Sequence, residues 1–193
     1  MPVTQEICNQ LTDQEIVQKS LVDLDYFSCL FNRYEPKLMR YVKRIASLNP
    51  EESEDVLQDA FIKIWRNLHD FDPSMKLNSW IYRIVHNETV SFWRKKTSYG
   101  KDQHVEIDEQ LMANFIEDNQ MDVAQKEAQT HKVLELLPQK YKSILVLKFI
   151  EGMSYTEISD ILKMPEGTVA TRINRAKKAF IKITDNENLS FFE

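Results

Sequence analysis

Three glycines in a chain of 193 residues, at positions 100, 152 and 167, leave few places where the backbone can run left-handed or turn tightly. Sheets built from short hairpins need such places throughout, whereas helices need them only at their ends. With Leu, Ile, Lys and Glu abundant, the chain is predicted to be all-α. Its length and its 42% apolar content suffice for one or two small domains with their own cores.

The most specific local pattern lies between Ser154 and Lys178. Ser154 followed by Glu157 spells a capping box ahead of Ile158, Ile161 and Leu162, the apolar side of a first helix. Pro165 stops that helix and opens the next, where its missing N–H is no loss, so the turn is Lys163–Met164. In the second helix Val169, Ile173, Ala176, Phe180 and Ile183 recur at three- and four-residue steps as a core stripe, with Thr171, Arg175, Lys178 and Lys182 opposite. From Lys163 to Ile183 six cations (Lys163, Arg172, Arg175, Lys177, Lys178, Lys182) face Glu166 alone, in a chain of formal charge −5. Such a reversal of sign suits phosphate. An isolated basic helix also fits a merely solvated face, but the capped first helix and the proline turn favour a DNA-reading helix-turn-helix.

A second amphipathic helix is predicted from Ser53 to Leu68. Leu57, Ala60, Phe61, Ile64 and Leu68 make its buried stripe, which turns Ile62 outward among Asp55, Gln58, Asp59 and Arg66. An apolar centre with a polar rim is the composition of a protein-docking patch, although single exposed hydrophobes are ordinary. From Phe71 to Lys96 a loop leads into a long helix. Leu77, Trp80, Ile81, Ile84 and Val85 are its core candidates. Lys76, Arg83, Arg94, Lys95 and Lys96 are interleaved with Tyr82, Phe92 and Trp93, a mixture suited to unstacked bases and their backbone. Assignment of Trp80 and Trp93 to the core is the competing reading. Residues 98–125 form an acidic linker whose apolar members Ile107, Leu111, Met112, Phe115 and Ile116 suit docking into a partner's groove.

Other chemistries find no support. His69, His86, His104 and His131 lie far apart in no metal-ligand spacing, and no GxGxxG, GxxxxGK or GxSxG occurs, so no catalytic residue, metal or cofactor is predicted. Cys8 and Cys29 are too few for a disulfide framework or a CxxC site and are expected as plain thiols in a reducing cytoplasm. No window is apolar enough to span a bilayer, and the N-terminus, MPVTQEICNQ, has no export signal, so membrane insertion is not expected.

The order of a DVLQDAF helix, an SWIYRIVHN helix, an acidic linker, LPQKYKSILVLKFIEGMSYTEISDIL and then PEGTVATRINRAKK resembles the extracytoplasmic-function sigma factors of bacteria, from about Leu11 to Lys182. That resemblance implies a non-catalytic subunit that binds core RNA polymerase, directs it to promoters and helps open the duplex. It divides the chain into an N-terminal segment with a short helix (1–22), a region 2 domain (23–97), the acidic linker (98–125), a region 4 helix-turn-helix domain (126–184) and a tail (185–193). It implies that Asp55, Gln58, Asp59, Ile62 and Arg66 dock on the β′ clamp, with a further contact to the β flap. It places Asn67, Phe71, Lys76, Asn78, Arg83, Asn87, Trp93 and Arg94 on the minus-ten element, with Asn67, Phe71 and Asn87 holding a flipped base. Thr168, Thr171, Arg172 and Arg175 are then the readers of the minus-thirty-five element, and Lys178 a phosphate contact. An anti-sigma factor or another DNA-bound recruiter is implied as a further partner.

Two alternatives remain open on the residues. A free helix-turn-helix regulator lacks here a receiver domain or a dimerisation heptad, and a helical adaptor leaves the basic face merely solvated. His86, beside Asn87, is either a silent, partly exposed histidine or a source of pH-dependent binding.

Overall fold

The computed structural model describes residues 3–98 and 123–186, with side chains in the second stretch from Gln129 onward. Among these residues every regular element is helical: α1 (Gln5–Gln10), α2 (Asp13–Ser20), α3 (Phe27–Ala46), α4 (Pro50–Arg66), α5 (Leu77–Ser98), α6 (Val123–Leu136), α7 (Gln139–Leu145), α8 (Tyr155–Leu162) and α9 (Glu166–Asn186). Single turns of 3₁₀ helix precede α3 and follow α4, and a π-type turn, Val146–Ile150, extends α7. The described residues form two compact units, one containing α1 to α5 and the other most of residues 123–186. The apolar linker residues Ile107, Leu111, Met112, Phe115 and Ile116, and the tail beyond Asn186, lie outside the described residues.

Local chemistry explains where the helices begin. Thr12 and Glu15 cap α2 reciprocally, the Thr12 N–H donating to Glu15 Oε2 at 2.7 Å and the Glu15 N–H to Thr12 Oγ1 at 3.3 Å. Asn49 and Glu52 do the same for α4, at 3.1 and 2.8 Å, with Pro50 in the first turn. This helix therefore starts three residues before the expected Ser53. The Ser53 hydroxyl is instead buried and donates to the Asn49 carbonyl at 2.8 Å. The helix ends at Arg66, and Leu68 reaches the core from the following 3₁₀ turn.

In the first unit α3, α4 and α5 share one core. Leu30, Leu38, Tyr41, Val42 and Ile45 from α3 meet Leu57, Ala60, Phe61 and Ile64 from α4, with Ile81 and Val85 from α5. Full burial of such a side chain contributes about 1.5–3 kcal/mol. Of the five core positions expected on α5, Leu77, Trp80, Ile81 and Val85 are buried, whereas Ile84 is only half-buried. The two short N-terminal helices lie on α3 through Ile16, Val17 and Cys8.

Cys8 and Cys29 are not free thiols: their sulfurs are joined in a disulfide, with the Cα atoms 5.1 Å apart. Two cysteines cannot build a framework, but two suffice for one bridge once the fold brings α1 against α3. Sequence separation gave no sign of that approach.

In the second unit the capping box ahead of α8 forms as expected, the Ser154 N–H donating to Glu157 Oε2 at 2.9 Å and the Glu157 N–H to Ser154 Oγ at 3.2 Å. The α8–α9 turn places Lys163 in the left-handed region, with φ of 49°. The Ser159 hydroxyl donates to the Met164 carbonyl at 2.6 Å and closes the turn. Pro165 occupies the cap position, its carbonyl receiving the N–H groups of Thr168 and Val169, one residue earlier than its expected place. Along α9, Val169, Ile173 and Ala176 are buried as expected. Beyond them the stripe drifts: Phe180 and Ile183 are half-buried while Ala179 and Thr184 enter the core, because a 3.6-residue period outruns alternating three- and four-residue steps.

Ser154→Ala removes one half of the α8 cap and is expected to destabilise the C-terminal unit by about 1 kcal/mol. A urea titration followed by hydrogen exchange on α8 should show the loss there, with α3 to α5 unchanged.

Candidate functional site

The structure gathers the sequence-predicted residues onto three surfaces. The first is the outward face of α4. Asp55, Gln58, Asp59, Ile62 and Arg66 are all exposed, and Ile62 leaves 48% of its surface to solvent. Their common face follows from the burial of Val56, Leu57, Ala60, Phe61 and Ile64 on the other side. Two aromatic residues absent from the sequence-based set belong here. Trp65, 37% exposed, follows Ile62 by three residues, a spacing that was legible. Phe31, 40% exposed, comes from α3 and packs at a tilt against Phe61 with ring centroids 4.6 Å apart, which no local pattern reveals. Phe27 meets the Trp65 ring edge-on, with centroids 5.2 Å apart.

Ion pairs tie this helix to α5: Lys63 to Glu88 and Lys96 to Glu52, each at 2.7 Å. The Lys96 ammonium, with the Asn49 N–H, holds the Glu52 carboxyl below its usual range. Both pairs are solvent-exposed and serve alignment more than stability.

The second surface runs from the end of α4 along α5. Asn67 ends α4, its side-chain amide donating to the Lys63 carbonyl at 2.7 Å. Lys76, Asn87 and Arg94 are exposed, and Arg83 and Trp93 half-buried. Asn78 accepts from the Lys37 ammonium at 3.2 Å, and that ammonium also sits 3.8 Å over the Tyr34 ring. Two of the aromatics are not on offer to a base. Phe71 is buried against Trp80 at 5.3 Å, and Tyr82 is buried against Tyr41 at 5.1 Å. The Trp80 ring lies in the core, as one of the two sequence readings had it.

His86 lies with Nδ1 2.9 Å from the Tyr41 hydroxyl. Burial, reinforced by the charge of Arg94, pushes its pKa down to about 4. The ring is therefore neutral throughout the physiological range, and the notion of a pH-dependent base pocket loses its basis.

The third surface is a groove of about 510 Å³ beside the start of α9. Thr168, Thr171, Arg172 and Arg175, four of the five residues expected to read DNA, line it together. Thr171 donates its hydroxyl to the Gly167 carbonyl at 2.9 Å, which fixes its side chain on its own helix. Lys178 is exposed on the same helix but outside the groove. Lys140 and Tyr141, contributed by α7, complete the lining, and periodicity within α9 could not have found them. The lining thus holds three cations and no carboxylate.

Sequence models of the sigma-70 family match both units, region 2 over residues 30–99 and region 4 over residues 127–180. The ECF RNA polymerase sigma factor SigW of Bacillus subtilis is 35% identical over 88% of this chain and 94% of its own length. The chain belongs to the ECF sigma factors. Another relative, the ECF sigma-E factor of Escherichia coli, is 31% identical over 88% of this chain and 93% of its own. The fold is shared with CnrH, solved in complex with the cytosolic domain of CnrY, at a TM-score of 0.67 and 23% identity, over 90% of this chain and 97% of that one. As an ECF sigma factor, the protein acts in promoter-directed initiation of transcription, a class of proteins that are not in general enzymes. No helix among the described residues is long and apolar enough to cross a membrane.

The depressed pKa of His86 has a consequence for stability. The unfolded chain takes up this proton at about 6.5 and the folded domain only near 4, so stability is full above pH 6.5 and falls as the pH drops between those values. His86→Gln should lack this component: between pH 7.5 and 5 the wild-type region 2 domain should lose about 1–2 kcal/mol more than the variant in urea titrations, a figure reduced for the part of the ring in contact with solvent. Formation of the open complex should not differ between pH 6 and 8 on account of His86.

Proposed function

We propose that α4 docks the sigma factor on the β′ clamp of core RNA polymerase through Ile62, Trp65 and Phe31, rimmed by Asp55, Gln58, Asp59 and Arg66. The observation that carries this reading is the pair Ile62 and Trp65, 48% and 37% open to water and three residues apart on a helix whose other face is committed to the core, with the 40% exposed Phe31 contributed by α3. A free surface of that kind costs solubility unless a partner covers it. The exposed Phe149 and Ile150 of the π-type turn, with the Lys177 ammonium 5.2 Å over the Phe149 ring, suit the second contact, to the β flap.

On α5 and the preceding loop, Asn67 and Asn87 are the exposed amides for a flipped base of the minus-ten element, and Lys76, Arg83 and Arg94 accompany the backbone. Phe71, packed beneath on Trp80, props this surface rather than stacking on the base. Asn78 is steered by Lys37, and Trp93 offers part of one ring face. In the groove of α9, Thr168, Thr171, Arg172 and Arg175 read base edges of the minus-thirty-five element, while Lys178 meets phosphate. The working compartment is the cytoplasm, where polymerase is. The sigma factor RpoE of Bartonella quintana, which shares this fold, was solved with the anti-sigma factor NepR; a partner of that kind, or a DNA-bound recruiter, is proposed here to cover the same docking surfaces.

The test is co-purification of the chain with core bacterial RNA polymerase. Wild type should be retained, and the double variant Gln58→Ala with Ile62→Asp should be lost with its helicity and melting unchanged. No retention of the wild type would overturn the reading in favour of a free regulator or an adaptor. On promoter DNA, Arg175→Ala should cost roughly 1–3 kcal/mol and relax preference at one base pair. Lys178→Ala should instead weaken all sequences alike and lower the salt slope by about 1.

A further inference from the structure

The bridge between Cys8 and Cys29 has no part in docking or DNA reading, and its surroundings are unusual for a structural staple. It links α1, a helix of six residues, to α3. A helix of that length does not hold by itself in water. Apart from the bridge, its polar ties to α3 are the Arg33 guanidinium, which donates to the Cys8 and Leu11 carbonyls at 2.7 and 2.8 Å, and a long contact of 3.4 Å from Asn32 to Gln5. The next helix is anchored separately: Asp13 accepts from Arg33 at 2.7 Å and from the Tyr34 hydroxyl. The bridge is thus the covalent tie of α1, while α2 has anchors of its own.

Both cysteines are buried in the bridged chain. Cys8 lies on the short helix and Cys29 within the 20-residue α3, so local opening of α1 would uncover the Cys8 sulfur first. Disulfides of proteins that work in the cytoplasm are mostly transient and redox-sensing; this step alone rests on the compartment proposed above.

We propose that Cys8 and Cys29 are a site of reversible oxidation that takes a small-molecule disulfide of the glutathione type and acts as a latch on α1. In the reduced chain the Cys8 thiolate attacks one sulfur of the small disulfide, forms a mixed disulfide and expels one thiolate, which takes a proton. Cys29 then loses its proton and attacks the Cys8 sulfur. The protein bridge forms and the second small thiol departs. Two protein thiols are oxidised and one small disulfide is reduced to two thiols. Reduction runs the same steps backward. Cys29 sits on α3 between Phe27 and Phe31, whose rings pack on α4, so the latch is built into the helix that also supports the proposed clamp-docking face.

The full chain is equilibrated in glutathione buffers from fully reduced to predominantly oxidised, quenched with acid, alkylated and weighed. In parallel, hydrogen exchange is followed in both end states. The expected result is full and reversible interconversion within that range, with the amides of Cys8 to Gln10 exchanging at least about tenfold faster in the reduced protein and those of α3 and α4 unchanged. Cys8→Ser should exchange like the reduced wild type and ignore the buffer. A bridge that survives the most reducing buffer would make it a permanent staple and overturn the proposal. So would thiols that persist in the most oxidising one, or equal protection of α1 in both states. Because the readout needs no polymerase, a failure of the co-purification leaves this result standing, and a failure here leaves the clamp reading untouched.

Discussion

The packing of α4 between α3 and α5 carries everything else in the N-terminal unit. Val56, Leu57, Ala60, Phe61 and Ile64 are buried along one side of the helix, and a helix that commits one side in this way presents the other without choice. Ile62 is exposed because Phe61 and Ile64 are not. The same packing brings Phe31 of α3, itself 40% exposed, against the buried Phe61. On the opposite edge, Lys63–Glu88 and Lys96–Glu52 align α5 with α4. The face proposed for docking and the residues proposed for DNA, Asn87, Arg83 and Arg94, therefore rest on one shared core.

The C-terminal unit works by a different constraint, the geometry of the α8–α9 turn. Lys163 accepts a left-handed backbone, Ser159 closes the turn onto Met164, and Pro165 caps α9. The start of α9 is then held beside α7, and Thr168, Thr171, Arg172 and Arg175 share a groove with Lys140. Positive charge is concentrated there in a chain that is acidic overall. Net repulsion from DNA and local attraction to it thus coexist in one chain.

Burial also decides which ionisable and aromatic groups are withdrawn from function. His86 is kept neutral against Tyr41, and Tyr82 and Phe71 spend their rings on Tyr41 and Trp80. From the sequence, all three looked like members of a base-handling surface. The residues left to that surface are mainly amides and cations, suited to hydrogen bonding and to phosphate, with the half-buried Trp93 supplying part of a ring face.

What the sequence by itself determined was whatever depends on neighbours within a few residues. The all-α class, the Ser154–Glu157 cap, the turn before Pro165, the exposed face of Asp55 to Arg66 and the basic face of α9 all follow from helical period and capping chemistry, which act over three or four positions. The missed start of α4 was of the same kind, since Asn49, Pro50 and Glu52 spell a cap that was there to be read. Only the tertiary structure decided the rest. It joined Cys8 to Cys29 across 21 positions, set Phe31 beside Phe61, brought Lys140 and Arg175 to one groove and placed His86 against Tyr41. Each of these is a meeting of side chains from different helices, and the distances involved are set by how the cores pack, for which periodicity along one helix carries no information.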